Sequence, residues 1–164
     1  MGSIGGAKQR SPTPWKYDIE EPGYKYHMND VAAAIGLVQL PFLSTLVAHQ
    51  RSNAAFYSQV LAQSHVIKPL APLCGSLPSY WLYPVQVSDP MSFISHMASY
   101  GIEATPLHQS NLHLTAFARH APSRPLPGVA HLDATLVCLP TGYWVNAEER
   151  ETVASALLSF RRAK

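Results

Sequence analysis

Tyr24, Lys25, Tyr26 and His27 stand side by side, with Asn29 two residues on, in the stretch PGYKYHMND. Every one of these side chains can donate a hydrogen bond, and the Lys25 ammonium is a point charge on a flexible stem, suited to holding a phosphate. On spacing alone, the tyrosines cover the start of the helix that follows and Lys25 is solvated. A second polar group, residues 108 to 127, carries His108, His113 and His120. Their spacings, HxxxxH and HxxxxxxH, suit neither a one-turn helical pair nor a zinc finger, and no cysteine or acidic ligand joins them, so no metal is expected. Ser110, Ser123 and Asp133 are the residue types of a hydrolase triad, but no GxSxG elbow presents a nucleophile. GSIGG near the start has no strand before it and no GK[ST] after it, so it does not read as a phosphate loop.

The elements that position these residues follow from caps and periodicity. Asn29 is a favoured N-cap, Asp30 complements the helix dipole, and Val31, Ala34, Ile35 and Val38 recur at helical spacing. Pro41 ends or kinks that helix and can open a second of about five turns, marked by Phe42, Leu46, Val47, Ala54, Tyr57, Val60 and Leu61. A short strand is expected at 66 to 68. YWLYPVQVS is aromatic and β-branched, with Pro84 pointing to an edge strand or a bulge. Asp89 and Pro90 open a helix that Gly101 stops, its Met91, Phe93, Met97 and Tyr100 reading as core or rim. GIEATPL reads as a strand, VAHLDA as one helical turn, and TLVCLPT as a buried strand. Asn146 and Glu149 form a capping box before a helix that buries Val153, Ala156, Leu157 and Phe160. Trp81, Tyr83 and Trp144 are assigned to the core. The class is α+β, with helices packed on a small, mainly antiparallel sheet.

At 164 residues the chain makes one ordinary domain, able to bury roughly 70% of its unfolded surface. Only 13% of residues are charged, which suggests that something else covers part of the surface. A formal charge of +2 with no basic run excludes the pattern of a nucleic-acid binder. Two isolated cysteines, Cys74 and Cys138, point to a reducing, cytoplasmic location. No uninterrupted apolar run reaches the ~18 residues of a membrane span, so no membrane association is expected. Residues 1–22, with little periodicity, read as an extended or disordered arm, and 23–164 as the domain.

PGYKYHMNDVAAAIGLVQL resembles a segment commonly written G-[YF]-[NK]-[YF]-x-M-x-[DE]-x-x-A-A-x-G-x-x-Q-L in sugar aminotransferases of the DegT/DnrJ/StrS type. WKYDIEEPG, RSNAAFY, YWLYPVQV, YGIEATPLH and LPTGYWVNAEERETVASAL are similar to successive pieces of that family's C-terminal half and together cover most of residues 15 to 160. The resemblance implies the small C-terminal domain of the aspartate aminotransferase-like, fold type I architecture. It implies pyridoxal 5'-phosphate (PLP) as cofactor, glutamate as amino donor and a nucleotide-linked keto-deoxysugar as substrate. The family works as homodimers with the active site at the subunit interface. The segment matching Tyr24 to Asn29 is, in that family, a loop reaching the partner's cofactor phosphate, usually with Asn where Lys25 stands. Lys25, Tyr24 and Asn29 are therefore the implied cofactor contacts, and His108, Tyr26 and His27 the implied substrate contacts.

A transaminase also needs a lysine to hold PLP as a Schiff base. In the resembled family it lies well upstream, before a glycine-rich stretch, and neither Lys8 nor Lys16 has that context. The expectation is a C-terminal fragment without a catalytic residue of its own, inactive alone and requiring a homodimer or a complementing large-domain chain. The alternative is a non-catalytic dimerisation or interaction remnant of the family.

Overall fold

Asn29 opens the first helix as its position predicts, its side-chain oxygen accepting the Ala32 N–H at 2.9 Å, and α1 runs Asp30–Gln39. The computed structural model describes residues 18–24, 26–106 and 110–161. A single 3-10 turn, Leu40–Phe42, holds Pro41 and leads into α2, Leu43–Val60. Pro41 therefore interrupts the helical path without ending it, because its missing N–H falls where a first turn needs none. Asp30–Val60 becomes one stretch of 31 residues, long and apolar enough by length and composition to cross a membrane. The expectation that no such stretch exists is corrected here: it counted uninterrupted apolar residues, and the helix continues through a few polar ones. The far end of that stretch is committed to the body, with Asn53, Ala54 and Tyr57 buried. The near end is not: no residue of α1 is buried, and Val31, Ile35, Leu37 and Val38 are between 59 and 70% exposed.

Three strands, β1 (Lys68–Pro69), β2 (Leu82–Gln86) and β3 (Leu136–Pro140), form an antiparallel sheet in the order β1-β2-β3. Pro84 sits in the middle strand, opposite Cys138, not at an edge. Its carbonyl accepts the Leu70 N–H at 3.0 Å. A strand residue's N–H and C=O point the same way, so the missing donor faces the side where two-residue β1 has just ended. Tyr83, Val85 and Val87 face the core, and β3 is buried from Leu136 to Leu139. Extending that alternation would bury Trp81. Tyr80 breaks the period with a left-handed φ of 54°, and Trp81 is left 59% exposed.

Asp89 caps α3 (Pro90–Ser99) through the Ser92 N–H, and Gly101 takes the φ of 73° that the turn after it requires. GIEATPL, expected as a strand, makes a single bridge: Thr105 and Cys138 exchange N–H···O bonds of 3.2 and 2.8 Å. Pro106 follows immediately and has no donor with which to extend the ladder. The turn expected at VAHLDA is a nine-residue helix, α4 (Pro127–Thr135), because Pro127 begins it earlier. Asn146 and Glu149 form the expected capping box of α5, Ala147–Ser159. Tyr57, Phe93, Met97, Val153, Leu157 and Phe160, from α2, α3 and the end of α5, pack onto the inner face of the sheet.

Candidate functional site

Tyr24 and residues 26–28 lie on the surface directly ahead of the α1 cap. Tyr24 and Tyr26 are 88 and 86% exposed and stack on each other at 5.5 Å, 15° from parallel, with Met28 exposed beside them. His27 is exposed too. The two tyrosines therefore do not cover the helix start; they form an open aromatic strip. Asn29 uses its side-chain oxygen to cap α1, which fixes where the strip ends. Lys25 and His108 lie outside the described residues.

Described residues on either side of the segment 107–109, Thr105 and Ser110, are both tied to the body. Upstream, Thr105 is bridged to β3. Downstream, Asp133 of α4 accepts both the N–H of Ser110, at 2.8 Å, and its hydroxyl. Ser110 and Asp133 are thus joined, but as a loop clamp, with no histidine between them to form a triad. A second clamp of the same form follows five residues later. Asp18 accepts the Thr115 N–H at 2.8 Å and the Thr115 hydroxyl at 2.6 Å, while the Ile19 carbonyl accepts the Ala116 N–H at 2.7 Å. Those bonds from Thr115, with His113 nearby, hold the Asp18 carboxyl below its usual range. Sequence reasoning missed this contact, because nothing at Thr115 points to a partner 97 residues away.

Two further polar clusters serve the fold. Buried Asn53 directs its amide nitrogen at the carbonyls of Thr141, Gly142 and Val145, at 3.3, 3.4 and 3.2 Å, and His49 donates to the Val145 carbonyl at 3.1 Å. Together they fix the TGYWV loop. Trp144, expected in the core, lies over Gly142 and is 60% exposed, because that fixed loop turns it outward. Between α3 and α5, His96 Nε2 meets the Ala156 carbonyl at 2.9 Å and the Ser159 hydroxyl at 3.2 Å. A carbonyl only accepts, so Nε2 carries the proton and is no base for Ser159.

An open apolar cleft of about 390 Å³ lies beside the sheet, lined by Leu70, Pro72, Tyr80, Trp81 and Pro84 among others. None of the sequence-predicted site residues in the described part of the chain lines it. A PLP site requires a lysine in a pocket and a carboxylate for the pyridine nitrogen. Lys68, the lysine among the described residues, is exposed at the edge of the sheet. The described residues therefore fit a peripheral contact with such a cofactor through the strip, not its covalent anchorage. No grouping of three or more metal-ligating side chains occurs among them.

The family model described as the DegT/DnrJ/EryC1/StrS aminotransferase family matches residues 3–158. Among solved structures, the chain is similar to the sugar aminotransferase CalS13 from Micromonospora echinospora, with 29% identity and a TM-score of 0.74 over 87% of this chain and 38% of that one. It is similar to AtS13 from Actinomadura melliaura, with 32% identity and a TM-score of 0.73 over 88 and 38%. A third is the putative sugar aminotransferase Spr1654 from Streptococcus pneumoniae in its PLP-form, with 26% identity and a TM-score of 0.69 over 86 and 38%. The chain spans about 38% of the length of these proteins.

Proposed function

The chain belongs to the DegT/DnrJ/EryC1/StrS aminotransferase family, and from that premise we propose that it forms the C-terminal, small-domain portion of a fold type I, PLP-dependent sugar aminotransferase. Residues 23–164 are the domain and 1–22 its arm. The complete enzyme, in the cytoplasm, moves an amino group from an amino acid such as glutamate to a nucleotide-linked keto-deoxysugar. Bound PLP supplies the electron sink for that transfer, and the lysine that holds it comes from a large domain outside these residues. This chain contributes the strip and His108: Lys25, Tyr24 and Asn29 toward the cofactor phosphate, and Tyr26, His27 and His108 toward the substrate. The chain is inactive alone and works as a homodimer or with a complementing large-domain chain.

The observation that carries the reading is α1. Its apolar side chains are unburied, and the polar strip leads directly into it. Contiguous apolar surface of this kind marks an interface. A large domain would cover the helix and bring its own site against the strip.

Co-expression of this chain with the unmatched remainder of CalS13 tests the proposal. A copurifying assembly with glutamate-dependent amination of a nucleotide keto-sugar is expected. Copurification without activity would favour the non-catalytic remnant, and no copurification would remove the complementation reading.

A further inference from the structure

Residues 20–28 have two ends, and the structure fixes both. The downstream end is Asn29, locked by its cap on α1. At the upstream end, the carboxylate of Asp18 stands at the first residue of the 3-10 helix Thr115–His120, taking the N–H and hydroxyl of Thr115. That helix has no side-chain cap of its own, since Leu114 precedes it. Asp18 thus does for it, from 97 residues away, what a local Ser or Asp usually does. The Ala116 N–H to Ile19 carbonyl bond adds a backbone tie at the next residue.

The segment that Asp18 grips is itself held. Asp133 on α4 takes the N–H and hydroxyl of Ser110. Between the clamps, the Leu114 N–H donates to the Asn111 carbonyl and the Phe117 N–H to the Leu114 carbonyl, both at 3.0 Å. Residues 110–117 form a bracket that runs from α4 to Asp18.

We propose that Asp18 is a positioning residue for the aromatic strip: through Thr115 it ties the segment that leads into the strip to the bracket that begins at Ser110. The segment carrying the strip is then held at one end by the Asn29 cap on α1 and at the other by the bracket that begins at Ser110. A loop held at both ends samples far fewer conformations than one held at a single end, so its side chains arrive at a partner surface already placed. The inference rests on the proposed function only for what the strip engages; the clasp and its effect on strip order stand apart from it.

The test uses the 164-residue chain by itself, with amide exchange and ¹⁵N relaxation measured for the parent, Asp18→Ala, Thr115→Ala and Thr115→Ser. Asp18→Ala and Thr115→Ala should each raise exchange at positions 115 and 116 about tenfold, as for a local opening. In the same two variants, backbone order parameters across 20–28 should fall from near ~0.85 to below ~0.6. Thr115→Ser, which keeps both donors, should match the parent in both readouts. Unchanged exchange in Asp18→Ala overturns the clasp. Raised exchange with unchanged order in 20–28 overturns the positioning role and leaves Asp18 as a helix cap alone. Failed complementation by the parent chain removes the proposed enzyme assembly without altering either readout.

Discussion

Replacing Asn53 with alanine removes the buried side chain that holds the TGYWV loop at three of its carbonyls. An amide group has two hydrogens, so the three carbonyls at 3.2 to 3.4 Å share them. Two of those carbonyls have other donors: His49 serves Val145, and the Val145 N–H serves Gly142 at 2.9 Å. The Thr141 carbonyl depends most on Asn53. A buried carbonyl left without its donor costs about 1–3 kcal/mol, and loss of the shared bonds adds about 1 kcal/mol, so Asn53→Ala should destabilise by about 2–4 kcal/mol. For a chain of this size, ~3 kcal/mol lowers the melting midpoint by about 6–12 °C. Asn53→Asp should be worse, since a carboxylate faces three acceptors with nothing to donate. Thermal and urea unfolding measure the loss, and Trp144 emission should shift in the folded variant as its loop slackens. A change below about 0.5 kcal/mol in Asn53→Ala, the level of an ordinary surface substitution, would refute the assignment.

Further outcomes follow from burial and from its absence. Burial raises the pKa of both Tyr57 and Tyr83, most strongly Tyr57. The folded phenols keep their protons where the unfolded ones, at about 10, lose them. The contribution of these two phenols to stability should therefore be constant below pH ~10 and fall above it, and Tyr57→Phe should lessen the slope in alkaline urea titrations. On α1, Ile35→Glu and Val38→Glu replace exposed side chains. They should leave the melting midpoint of the isolated chain within the equivalent of about 0.5 kcal/mol, yet abolish copurification with a large-domain polypeptide.

What the sequence made legible is what is local. Asn29, Asp89 with Pro90, and Asn146 with Glu149 act on backbone three residues away, so each of these helix starts could be read from a few letters. The apolar positions of α5 likewise declare their face. The errors are non-local. Pro84 reads as an edge residue or a bulge, but whether its missing donor matters depends on where β1 ends, at Pro69. Trp81 reads as core from its alternation with Tyr83, and a single left-handed residue, Tyr80, reverses it. The periodicity of α1 announces a face to be covered without saying by what, and no part of the described chain buries it. For the candidate site, residue types and a resemblance pointed to the strip, whereas the clamps at Asp18 and Asp133 join segments that share no pattern.

Borohydride reduction shows whether the Schiff-base lysine lies outside this chain. The purified chain is incubated with PLP, reduced, digested and mapped by mass for pyridoxyl-lysine. No stoichiometric adduct is expected at Lys8, Lys16, Lys25, Lys68 or Lys164, only scattered partial labelling. A single stoichiometric adduct, at Lys25 for instance, would contradict it and make the chain a PLP protein in its own right.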